Sequence, residues 1–215
     1  VNAANPRAYT DQDGKKQSGN PNGHIIRFRE DGAPHALNFY WDIFVFGAEE
    51  DAGAANLSGL TAKNSFSSPD GLWFSQATGI CWIQTDDGAM TDETNCMLLA
   101  AIPGRVGDGG KTVALNQQRV DGALRDGKQD TFVGALLGEA RLRRFLIAPK
   151  GAEVTGLTES PGGKALFVNI QHPGEDTPAL GRAAAFNLQS RWPGNVGYGP
   201  AGRPRSATIV ITRED

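Results

Sequence analysis

Apolar and polar residues alternate along most of this chain in short runs, and no stretch sustains helical spacing over many turns. The runs at 24–30, 37–47, 71–75, 80–85, 95–101, 141–148, 154–159, 164–171 and 206–212 are each predicted to be strands. Turn signals such as Asp31-Gly32 and Pro161-Gly162-Gly163 separate them. Residues 1–22 carry no hydrophobic period and read as loop; 48–62 reads as a connector with a short helical turn. The stretch 104–140 reads as an insertion, with a small helix expected over 132–137 together with Leu142. A Gly/Pro-rich excursion, 173–204, precedes the last strand.

Two of these strand pairs match each other. Gly71 and Trp82 are eleven positions apart, as are Gly156 and Phe167. With the second segment laid on the first, Leu72 falls on Leu157, Ser75 on Ser160 and Ile83 on Val168. A hairpin unit used twice, with turn glycines inside it, predicts an all-β chain made of β-propeller blades. About two and a half blades can be counted, too few to close a ring, because each blade buries its faces on two neighbours.

Composition agrees with this and narrows the function. Twenty-eight glycines and twelve prolines suit many short strands. At 39% apolar and 21% charged residues, the chain can bury a core. A net charge of −3 gives nucleic acid no basic surface to bind. No run approaches the ~18 apolar residues of a membrane span. Cys81 and Cys96 have neither metal spacing nor a disulfide framework, and read as two buried thiols, with pairing across neighbouring strands as the alternative. The chain starts at Val1 in a polar stretch, which reads as a piece of something longer.

Six segments, in order, resemble the PhoX family of bacterial alkaline phosphatases. They are Asn22-Gly23-His24-Ile25-Ile26-Arg27-Phe28-Arg29-Glu30, Ser68-Pro69-Asp70-Gly71-Leu72-Trp73-Phe74, Trp82-Ile83-Gln84-Thr85-Asp86, Glu153-Val154-Thr155-Gly156, Leu166 through Glu175, and Arg203-Pro204-Arg205-Ser206-Ala207-Thr208. The resemblance implies a six-bladed propeller and a periplasmic or secreted phosphomonoesterase acting on a small-molecule phosphoester. It also implies Fe3+ and Ca2+ at the propeller axis, and that residues 1–215 form the C-terminal part of one propeller domain, with 104–140 inserted within a blade. The N-terminal half of the propeller would then be this chain's partner. The family's cysteine iron ligand and Arg-Pro-Glu segment would lie upstream, and neither Cys81 nor Cys96 inherits that role.

Asp70 and Glu153 are the candidate metal ligands. Each leads into the first strand of a repeated hairpin, and strand positions two apart share a face, so both can aim at one rim. Hard cations prefer such oxygen donors. Asp70 also suits a Pro-Asp-Gly turn, where it would bond only nearby amides. His172, after a strand and before Pro173-Gly174, can contact a phosphate oxygen or simply end the strand. Asp86 and Asp87 read as turn residues, with calcium the alternative for Asp86. His24 and His35 read as structural or solvated, Arg27 and Arg29 as a solvated strand face, and Arg203 and Arg205 as flanking Pro204 before the last strand, with a phosphate contact as the alternative. Trp41, Trp73, Trp82 and Phe167 read as packing between blades. Gly107-Asp108-Gly109-Gly110-Lys111 lacks phosphate-loop spacing, and no nucleophile elbow or zinc-protease helix occurs. Two other readings stay open: a calcium-dependent lactonase-type propeller, and a non-enzymatic propeller scaffold with structural calcium.

Overall fold

A computed structural model describes residues 9–10, 16–17, 20–53, 56–118, 126–178, 187–194 and 202–213. Thirteen strands and one short helix are assigned among them. In order these are β1 (Tyr9–Thr10), β2 (Lys16–Gln17), β3 (His24–Glu30), β4 (Phe39–Phe46), β5 (Pro69–Phe74), β6 (Cys81–Thr85) and β7 (Met97–Ala101). There follow β8 (Lys111–Gln118), β9 (Asp126–Val133), α1 (Gly138–Arg141), β10 (Leu142–Ile147), β11 (Glu153–Glu159), β12 (Ala165–Gln171) and β13 (Ala207–Thr212). The all-β expectation holds. Besides the β1–β2 pair, the strands form sheets ordered β3-β4-β9-β8, β10-β7-β6-β5 and β11-β12-β13, none of them closed.

The chain divides into two compact units. The first comprises 1–68 and 103–142, and the second 69–102 and 143–215.

In the first unit, β3 and β4 pair antiparallel around the Asp31-Gly32 loop, where Gly32 takes a φ of +110°. Ile43, Phe46 and Val133 form an apolar cluster. Arg27 departs from the expected solvated face. Its register partner across the ladder is Asp42, whose side chain is fully buried, and the two form a fork of 2.7 and 2.9 Å. Arg27 also bonds Asp108 and the Pro103 carbonyl, and Asp42 accepts from the Gly107 amide at 2.7 Å. Partial burial works against the Asp108 carboxylate. Its bonds to Arg27 and to the amides of Ala135 and Arg105 outweigh that and hold its carboxyl far below the usual range. Arg29, as expected, stays exposed and lies over the Tyr40 ring at 4.6 Å.

The expected helix over 132–137 is absent. Thr131, Phe132 and Val133 are the end of β9, paired with Val113, Thr112 and Lys111 of β8, and the helical turn comes later as α1. The stretch 104–140 thus supplies a hairpin to the sheet of β3 and β4, joined through Ile43↔Val133. The connector at 48–62 shows turns among its described residues, with a 3-10 position at Gly53, whose carbonyl accepts from the Asn56 amide at 3.1 Å.

In the second unit, β11 lies against β5, β6 and β7. Trp82, Leu98, Val154, Leu157, Val168 and Ile170 form the core between these sheets, with Trp73 packed at its margin. Full burial of side chains this size contributes about 1.5–3 kcal/mol each. Trp41 and Phe167, expected in packing, remain 43% and 37% exposed. Cys81 and Cys96 are free buried thiols, as expected, and burial pushes Cys81 up to about 11.

Candidate functional site

The repeated hairpins share their ladder register residue for residue. Leu72↔Ile83, Trp73↔Trp82 and Phe74↔Cys81 in β5–β6 answer to Leu157↔Val168, Thr158↔Phe167 and Glu159↔Leu166 in β11–β12. Each first strand carries an irregularity at its glycine, between Pro69 and Leu72 and between Thr155 and Leu157. A β-carbon on Gly71 would lie 2.2 Å from Gln84 Oε1, and one on Gly156 would lie 2.9 Å from Asn169 Nδ2. Both glycines therefore leave room for an amide side chain on the partner strand. The two hairpins belong to different sheets, as separate blades require.

The polar groups gather at the ends of these hairpins. Glu153 opens β11 opposite Gln171, so His172, the next residue, stands beside it. Glu153 Oε2 lies 3.3 Å from His172 Nε2, and Glu175 Oε2 lies 3.0 Å from His172 Nδ1. The Glu153 side chain is only 12% exposed. Burial raises its carboxyl above the ordinary value, repulsion from Asp86 and Asp70 adds to this, and His172 opposes it. Asp70 and Asp86 are exposed and within electrostatic reach of Glu153. Asp70 sits at the ladder irregularity, where strict alternation of faces no longer applies.

Asp87, in contrast, does what a turn residue does: its carboxylate accepts from the amides of Ala89 at 2.7 Å and Met90 at 3.2 Å. A cleft of about 40 Å³ opens beside the site, lined by Asp86, Asp87, Lys150, Glu175 and Asp176 among others. Sequence reasoning missed Glu175 and Glu159. Glu175 lies three residues after His172 across a Pro-Gly turn, and that spacing is its only signal in the sequence. Glu159 accepts from Ser75 Oγ at 2.8 Å and from the amides of Gln76 and Ala77 at 2.8 and 3.1 Å, tying the turn of one hairpin to the other.

The donor set suits a hard cation in kind: carboxylates that repel one another, one of them nearly buried and raised by its neighbours. It does not complete a cage, since no cluster of three or more His, Cys, Asp or Glu among the described residues could hold a metal ion. The first unit also carries a groove of about 600 Å³, but its lining of Ile26, Phe28, Phe39 and Trp41 offers a phosphoester little polar chemistry. No helix among the described residues is long and apolar enough to cross a membrane.

Comparison with known proteins agrees with the motifs. No curated protein matches the chain. Among solved structures, Pseudomonas fluorescens PhoX in complex with vanadate, a transition state analogue, is similar with a TM-score of 0.61 and 33% identity over 93% of this chain. The chain spans 28% of the length of that PhoX chain. The family model described as alkaline phosphatase PhoX matches residues 2–174, most of the sequence, and the chain belongs to that family.

Proposed function

We propose that this chain is part of a metal-dependent alkaline phosphatase that hydrolyses phosphomonoesters. The observation that carries the reading is the family match over residues 2–174, which includes the hairpin ends bearing Asp70, Glu153 and His172. Similarity to a PhoX that takes vanadate as a transition state analogue supports phosphoryl chemistry. In this reading the sheets are blades of a six-bladed propeller, residues 104–140 interrupt the blade of β5–β7 and β10, and the remaining blades come from an N-terminal half. Export to the periplasm or medium follows from the same family reading.

Asp70 and Glu153 are the metal ligands in this proposal, with Ca2+ and Fe3+ as the cations. Bound there, such cations would supply charge that stabilises the oxygens of the transferring phosphoryl group. The chain's own contribution is positional. Crowding carboxylates at the ends of β5, β6 and β11 costs electrostatic free energy without a cation, and a bound cation relieves that cost. His172, adjoining Glu153, is the residue positioned to contact a phosphoryl oxygen.

The test is substitution in the complete enzyme. Asp70→Ala and Glu153→Ala should each lower bound metal and aryl phosphate hydrolysis together, with strand content by circular dichroism unchanged. A variant retaining full metal content and activity while melting earlier would overturn the assignment of that residue.

A further inference from the structure

The loop at 103–110, which leads into β8, contains no buried residue, so apolar packing does not hold it in place. Polar bonds do. Both oxygens of the Asp108 carboxylate are surrounded by donors. Oδ1 accepts from Arg27 Nη2 and from the Ala135 amide at 2.8 Å. Oδ2 accepts from the Arg105 amide at 3.1 Å and from Arg27 Nη1 at 3.4 Å, and it lies 3.5 Å from Arg141 Nη2. A turn residue bonds the amides of its own loop, and the Arg105 bond is of that kind. The bonds from Ala135 and from two arginines are not.

Charge explains why the carboxylate is needed. Arg27 already has a partner in the fully buried Asp42, which leaves Asp108 as the anion that balances Arg141. Without Asp108, one positive charge is uncompensated and the donors around it converge on nothing. Two glycines leave space for the group they surround. A β-carbon on Gly104, which has a φ of +62°, would strike both the Asp108 carboxylate and the Arg141 guanidinium. One on Gly134 would lie 2.9 Å from Arg27 Nη2. Guanidiniums and backbone amides aimed at one point are the donor set by which proteins hold phosphate or sulfate oxygens.

We propose that Arg27, Arg141 and the amides of Arg105 and Ala135 form an oxyanion cradle that the chain fills with its own Asp108. This internal anion is the latch that fixes the 103–110 loop to β3 and β4. A free tetrahedral oxyanion is the alternative occupant. The native chain excludes it because Asp108 is tethered beside the cradle at high effective concentration. The cradle lies within the first unit and is independent of the phosphatase reading.

The metal-free 215-residue chain, native and Asp108→Ala, tests this when titrated with inorganic phosphate against chloride at constant ionic strength. Melting temperature and tryptic cleavage of the Arg105–Val106 bond are the two readouts. In chloride, Asp108→Ala should melt lower than native and be cut at that bond about tenfold faster or more, as local opening of the loop requires. Phosphate should return both measures toward native, with a midpoint of about 1–10 mM, and should move the native chain about tenfold less. Adding Arg141→Ala should weaken the phosphate response of Asp108→Ala. A variant that phosphate neither stabilises nor protects would overturn the cradle, as would equal responses from variant and native. A variant loop cut no faster than the native one would overturn the latch. Should Asp108→Ala fail to fold in both salts, the same readouts on Asp108→Ser decide.

Discussion

The β5–β6 and β11–β12 hairpins share a backbone plan and differ in what they carry. Their registers, their irregular glycines and their overlying amides correspond. Burial does not. All five positions of β6 are buried, whereas β12 has Val168 and Ile170 inside and Phe167, Asn169 and Gln171 outside. The polar ends diverge further: where the first hairpin has Ser68 and Asp86-Asp87, the second has Glu153 and Gln171-His172. Ladder pairing constrains residue size and face within a strand but leaves the residues at its ends free to vary. Chemistry can therefore be installed at one hairpin end without disturbing the shared plan.

The equivalence is tested hardest in the core. Ile83 and Val168 occupy matching positions, and both are completely buried. Ile83→Ala should cost about 2–5 kcal/mol, and Val168→Ala should also destabilise, by less, because fewer atoms are lost. Denaturant unfolding of the whole chain measures both. A harmless substitution at either position would mean that burial at the matching position does not carry the same weight in the two hairpins.

Glu159 is where the second hairpin does something the first does not. Its counterpart is Phe74, which is 51% exposed. The Glu159 carboxylate accepts three hydrogen bonds from the β5–β6 turn. Glu159→Ala should cost about 1–3 kcal/mol, near the lower end because that turn is largely exposed. Phe74→Ala should fall within about 0.5 kcal/mol, as exposed substitutions do. Equal losses from the two, read by thermal melting, would remove the asymmetry.

Much of this was legible in the sequence, and the exceptions have physical reasons. The alternating runs at 24–30, 80–85 and 164–171 became β3, β6 and β12 with boundaries within a residue or so, because burial of one or both faces dictates their composition. The hairpin duplication was visible because bulge and turn glycines sit at fixed offsets. The strands β8 and β9 were not legible. Gln117, Gln118, Asp126 and Lys128 have poor strand propensity, and what makes them strands is their pairing with each other. Arg27 was misread because its buried environment depends on Asp42 and Asp108, fifteen and eighty-one residues away. At the site, Glu153 and His172 stood out at strand ends, whereas Glu175, on a turn, carried no pattern to single it out. Asp70 could not be oriented by parity because it lies at a ladder irregularity.

The glycines separate the hairpins more finely. Gln84 is buried, so a methyl group on Gly71 meets an amide with little room to retreat. Asn169 is exposed, although it accepts from Thr208 Oγ1 at 2.7 Å, and it can swing aside. Gly71→Ala should cost about 1–3 kcal/mol, as overpacking does, and Gly156→Ala less. Adding Gln84→Ala to Gly71→Ala should recover part of the loss, giving a measurable coupling between the two sites. Additive effects would show that the amide is not what the glycine accommodates.

The smallest expected effect separates the ends of the hairpins, and its sign matters more than its size. Burial, Asp86 and Asp70 together raise the Glu153 carboxyl above its unfolded value. The folded state therefore holds this proton more tightly than the unfolded chain. The associated stability is fully present below the ordinary carboxyl range near pH ~4.3 and is lost as pH rises through the raised folded value. At neutral pH the metal-free chain carries that loss, and Glu153→Gln, which keeps the shape and removes the charge, should melt higher than the native protein. At pH ~3.5, where both forms are neutral, the two should melt together. Ser68, the counterpart in the first hairpin, has no ionisable group, so Ser68→Ala should show no such pH-dependent difference. A Glu153→Gln variant that melts lower than native at neutral pH would mean that His172 more than repays the charge, and the excess of negative potential at this hairpin end would be disproved.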